Sequence, residues 1–81
     1  MISKENYEVL LRAVEGGAFD ELTAGMRNSY GALVWTTEGI ASITEHAEAI
    51  VGAPVSTSDL WNGAAAGGRL FFDTLVRRIG P

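Results

Sequence analysis

The stretch that most constrains this chain is Ser56 to Ile79, close to the C-terminus. It opens as a helix start: Ser56 stands at the N-cap, Asp59 at the third helical position can reach back in a capping box, and Val55 and Leu60 occupy the hydrophobic-staple positions. Beyond it, Trp61, Ala64, Ala65, Gly68, Phe71, Phe72, Leu75, Val76 and Ile79 recur at spacings of three and four, which is one face of a helix. From Ala64 to Gly68 that face is nearly bare of side chains, so another backbone can approach it closely. The natural visitor inside the monomer is the preceding helix, through Ala47 or Gly39. Across a two-fold axis it is a second copy of the same helix, which makes a homodimer an expectation to test. Gly67-Gly68 costs about 2 kcal/mol of helix propensity, so the element is either one rod or two.

The segments before it follow the same period. Ser3 caps a first helix with Ile2 and Tyr7 as its staple, Tyr7, Leu10, Leu11 and Val14 as its apolar stripe, and Gly16-Gly17 as its stop. Asp20 is the expected cap of a second, shorter helix whose face is Leu22, Met26 and Tyr30, with Gly25 in its middle. For Ala32 to Val51 two templates compete. Leu33, Thr36, Ile40, Ile43, Ala47 and Ile50 fit one continuous helix, whereas the β-branched and aromatic run Ala32 to Thr37 fits a strand, with a turn at Glu38-Gly39 and a helix from Ile40. Gly52 and Pro54 end the element in either case. The expected fold is all-α: four helices, or five if the last one breaks, around one core, with the C-terminal helix central.

Size and charge narrow the function. The 81 residues support a single domain, residues 1–81, burying roughly 60–65% of the unfolded surface, and stability of about 4–12 kcal/mol is expected. Cysteine is absent, so there is no disulfide framework and no thiolate metal site. No apolar run approaches the ~20 residues of a bilayer span, and Lys4-Glu5 interrupts any leader-like start. A cytoplasmic protein away from membranes is the expectation. With a net charge of −4 and no basic stripe, nucleic acid is an unfavourable partner, and a protein with a basic surface is a favourable one.

No catalytic or cofactor signature emerges. His46, the only histidine, has Ser42 and Ile50 at the helical neighbour positions where a metal would need ligands, and it reads as a solvated helix-flank residue. Glu38, Glu45 and Glu48 line one side of the third helix as a solvated face or an electrostatic docking strip. Gly63, Gly67 and Gly68 match neither phosphate-binding loop. Trp35, projecting to the opposite flank beside Gly39, reads either as a cap on the edge of the core, the commoner place for tryptophan in a domain this small, or as an interface anchor. Trp61 on the last helix, and Arg69 on its outer face in line with Asp73 and Arg77, complete the candidate interaction residues.

The segment Thr44 to Gly63 resembles the helix-turn-helix of Cro-type repressors, with Gly52 at the turn and Trp61-Asn62-Gly63 where such proteins often carry Trp and Gly. The resemblance implies a DNA-binding regulator reading bases from Ser56 to Asn62. The chain departs from that pattern at Glu48, which occupies the small-residue position, and at Ser58, which occupies the buried β-branched one. The would-be recognition helix carries Asp59 and no base, leaving Asn62 alone among the usual base readers. The leading expectation is therefore a non-catalytic protein-interaction module, a small acidic inhibitor or regulator that docks on a larger assembly, without cofactor or metal. A degenerate helix-turn-helix regulator is the alternative, and a small enzyme ranks third.

Overall fold

A computed structural model describes residues 2–62 and 70–80. Five helices make up the described chain: α1 (Lys4–Glu15), α2 (Asp20–Ala24), α3 (Thr37–Val51), α4 (Thr57–Asn62) and α5 (Leu70–Ile79). Among the described residues the only β pairing is an isolated bridge between Arg27 and Leu33. The expected all-α fold is what forms. The bare patch Ala64 to Gly68, the glycine pair within it, Arg69, and with them the close crossing that motivates a homodimer, all lie outside the described residues.

The helix ends follow the local chemistry. The Ser3 hydroxyl accepts the Asn6 N–H at 3.1 Å, and Ile2 and Tyr7 are both buried, as a staple requires. At α4 the capping box closes in both directions: Asp59 N–H donates to Ser56 Oγ and Ser56 N–H to the Asp59 carboxylate, each at 3.0 Å. That backbone bond holds the Asp59 carboxyl below the usual carboxylate range. Gly52 ends α3 at φ 67°, a left-handed turn that glycine takes without the Cβ penalty.

Two elements differ from their sequence reading. The second helix stops at Ala24, so Gly25 is its C-cap and not an interior residue, and Phe19, without a side-chain cap, stands where Asp20 was expected. Asp20 is spent elsewhere: its two oxygens accept Arg78 Nε at 3.1 Å and Nη2 at 2.7 Å. Beyond Gly25 the chain forms a loop in which the Asn28 side chain accepts the N–H groups of Tyr30 and Ala32. Arg27 pins this loop to the C-terminus by donating to Gly31 O at 2.6 Å and Ile79 O at 2.7 Å, the latter a helix-end carbonyl. The third helix is neither of the two expected forms. Val34 N–H is committed to Met26 O, and Thr36 Oγ1 accepts the Gly39 N–H at 2.9 Å, so the helix begins at Thr37 and the preceding residues are not helical.

The core joins Tyr7, Leu10 and Val14 of α1, Ile43 and Ala47 of α3, Leu60 of α4, and Phe71 and Leu75 of α5, with Phe19 from the α1–α2 connection. Helix α1 packs on both α3 and α5, and α4 also touches both, so α5 shares the central position with α1. Phe71 is the aromatic hub, edge-on to Phe19 at 5.5 Å and to Phe72 at 5.3 Å. The Tyr7 hydroxyl accepts the Phe71 N–H at 2.8 Å inside this core, which supplies α5 with a buried acceptor in its first turn.

Candidate functional site

Helix α3 presents its outer side to α2, and the two leave an open depression between them. Its floor is Leu22, Met26 and Val34, its rim includes Glu38, and its volume is about 500 Å³. A second depression of about 320 Å³ continues it along α3, lined by Glu45, His46 and Ala49 and sharing Leu22 and Ser42 with the first. The helix repeat places these residues together, because Glu38, Ser42, Glu45 and Ala49 are spaced four, three and four apart. Gly39 makes room for the Met26 side chain in this groove: a Cβ there would lie 2.8 Å from Met26 Cε.

Glu38 and Glu45 are exposed on this groove. Glu48 is not part of the strip. It is half-buried, and its carboxylate accepts the Val55 N–H at 2.9 Å, tying the end of α3 to the start of α4. His46 also differs from the solvated residue expected. Its Nε2 stands 2.9 Å from Ala18 O, so that nitrogen donates the proton to the carbonyl, and its ring meets Phe19 edge-on at 5.0 Å. Its role is to hold the α1–α2 connection against α3.

The two tryptophans line a second surface feature, apart from the groove. Trp35 precedes α3 and does not project from its flank. Trp61 leaves the core face of its helix, where Leu60 is buried instead. Each is 39% exposed, and both rest on Phe72, which is 4% exposed. Trp35 stands edge-on to Phe72 at 5.6 Å, and Trp61 is stacked on it at 4.3 Å and 30°. With Asp73 and Val76 they line a notch of about 160 Å³.

No family model, curated protein or solved structure matches this chain. Function therefore rests on the two surfaces themselves. The segment resembling a helix-turn-helix does form two helices around Gly52, but Glu48 spans the turn with its bond to Val55, and Asn62 donates to Ser58 Oγ at 3.0 Å. Among the described residues no three His, Asp or Glu side chains come together as a metal site, and no helix is long and apolar enough to cross a membrane.

Of the seven candidate residues, the structure brings together Glu38, Glu45 and His46 along the groove, and Trp35 and Trp61 in the notch. Glu48 is set apart from both, and Arg69 lies outside the described residues. Sequence reasoning missed Leu22, Met26 and Val34 as groove floor, and Phe72, Asp73 and Val76 as notch. The spacing of Phe72 and Val76, four residues apart on one helix, carried the signal for half of the notch. Nothing local in the sequence joined Trp35 to them.

Proposed function

We infer that this domain is a non-catalytic docking module that binds a protein partner with a basic surface through the α2–α3 groove. The observation that carries this reading is the pairing of an apolar floor, Leu22, Met26 and Val34, with the exposed carboxylates Glu38 and Glu45 along one continuous depression. Apolar area supplies binding free energy, and the acidic rim favours a complementary partner and speeds encounter. The net charge of −4 acts in the same direction. An inhibitor or regulator that acts by occupying a larger protein's surface needs no chemistry beyond this.

The decisive variant is Glu38→Gln with Glu45→Lys. Glutamine is chosen at Glu38 because that residue sits in the first turn of α3, where a lysine would oppose the helix dipole and confound stability with binding. The immobilised wild-type chain should retain one or a few basic proteins from its native host, less of them as salt rises. The double variant, with unchanged circular dichroism, should bind the same proteins about tenfold more weakly. Equal retention by both forms would remove the groove from the interface.

A further inference from the structure

We propose that the turn Asn28–Gly31 is an anchor that inserts the Tyr30 ring into a pocket of the same basic protein partner that occupies the α2–α3 groove. The proposal rests on the groove reading for the partner's charge. It adds the residue that dominates binding and the shape of the site that receives it.

Tyr30 is 94% exposed, against 39% for Trp35 and 38% for Val34. A ring so fully in water does little to hold the fold, yet the backbone beneath it is fixed. The Asn28 side-chain oxygen accepts the N–H groups of Tyr30 at 2.9 Å and Ala32 at 3.1 Å. Gly31 N–H donates to Asn28 O at 3.0 Å, and Asn28 N–H to Ala32 O at 2.9 Å. Below these, Val34 N–H donates to Met26 O, and Arg27 ties Gly31 O to Ile79 O. The loop is therefore ordered on folding and not on binding, which favours association. Tyrosine, with two side-chain torsions, loses little further freedom when its ring is immobilised.

The chemistry of the tip selects its occupant. From Asn28 to Thr37 the chain carries no charged side chain, and Arg27 before it is half-buried against carbonyls. Tyr, Ser, Asn and Gly can therefore enter an apolar pocket without stripping water from a charge. A protruding ring is covered only by a concave surface, and its hydroxyl needs a hydrogen-bonding group at the pocket's base. The foot of the turn is continuous with the groove, because Arg27, Asn28 and Val34 line it beside Glu38. A charge-free aromatic centre with carboxylates on its border has the layout of an interface core and rim. The complementary site is an apolar pocket with Lys or Arg at its mouth. A second copy would set −4 against −4 and one acidic rim against another. Nucleic acid finds no free cation on this tip.

The test purifies the host protein that the immobilised chain retains and titrates it calorimetrically with the full chain at two salt concentrations. Tyr30→Ala should bind at least about thirtyfold more weakly, as truncation of an interface anchor does, with circular dichroism unchanged. Its salt dependence should equal that of the wild type, because no charge is removed. Tyr30→Phe should fall between the two, keeping the ring and losing one hydrogen bond. 4-Benzoylphenylalanine at position 30 should cross-link the partner at one site with a lysine or arginine nearby. Binding of Tyr30→Ala within about threefold of wild type would overturn the anchor and leave the groove reading standing. Loss with Tyr30→Ala, but not with Glu38→Gln and Glu45→Lys together, would support the anchor and overturn the groove reading. Retention of no host protein would overturn both. Sedimentation equilibrium should find a monomer, and a dimer dispersed by Tyr30→Ala would make a second copy the occupant and overturn the assignment to a basic partner.

Discussion

Phe71→Ala should destabilise the domain by about 3–5 kcal/mol, a large fraction of the about 4–12 kcal/mol expected for a chain of this length. The ring is fully buried and sits between Phe19 and Phe72, so its removal empties the place where α5 meets the α1–α2 connection. Phe19 and Tyr7, which meet it there, come from segments distant in sequence and cannot collapse into the space independently of the fold. Urea unfolding followed by far-ultraviolet circular dichroism measures the change. Tyr30→Ala is the matched control, since Tyr30 is 94% exposed and its truncation should fall within about 0.5 kcal/mol. A loss under about 1 kcal/mol at Phe71 would mean that the hub is not where the core is held. The adjacent position gives a useful contrast, because Phe72 faces the notch as well as the core, and its conservative replacement by leucine should disturb the tryptophan environment more than the fold.

The starts of α1 and α4 and the end of α3 were legible in the sequence because each depends on residues within one turn. Ser3, the Ser56–Asp59 box and Gly52 act on their own immediate backbone, so spacing alone identifies them. Apolar period likewise marked Tyr7, Leu10 and Val14 as buried, and Ile43 and Ala47 after them. The misreadings share a cause, which is competition from partners far along the chain. Asp20 looks like a cap until Arg78, at the other end of the domain, offers it two charge-assisted bonds. The Ala32 to Thr36 run fits a helical stripe until Met26 O takes the Val34 N–H and Thr36 begins a helix of its own.

The functional surfaces follow the same division. Glu38 and Glu45 could be placed on one side of α3 by counting, but the groove exists only because α2 packs alongside with Leu22 and the loop beyond it contributes Met26 and Val34. Glu48 counts as a member of the same strip, and its bond to Val55 N–H was invisible because it is made across the Gly52 turn. The notch was harder still. Period places Phe72 and Val76 on the core face of α5 and Trp61 on that of α4, yet the two short helices leave Val76 and Trp61 at the boundary with solvent. A mixed aromatic and acidic notch results where an edge of the core reaches the surface between the described elements.

Tyr7→Phe should destabilise the domain by about 1–3 kcal/mol and should also change how stability depends on alkaline pH. The hydroxyl accepts the Phe71 N–H in a buried setting, and phenylalanine leaves that donor without its acceptor, which costs the desolvation of the amide more than the loss of one average hydrogen bond. Burial raises the Tyr7 pKa above the ordinary tyrosine value, with the Asp73 charge acting in the same direction and the Phe71 amide opposing both. The folded state therefore holds the phenolic proton more tightly than the unfolded chain does. Its contribution to stability is complete below about pH 10, where both states are protonated, and is lost as pH rises through the folded value. Wild-type unfolding free energy should fall on going from pH 9 to pH 11 more steeply than that of Tyr7→Phe, although the variant starts lower. Paired urea titrations at the two pH values measure the difference. Equal pH slopes in the two proteins would show that the tyrosine ionises as readily in the folded state as in the unfolded one, and a variant as stable as wild type at neutral pH would show that α5 does not depend on this bond for its first turn.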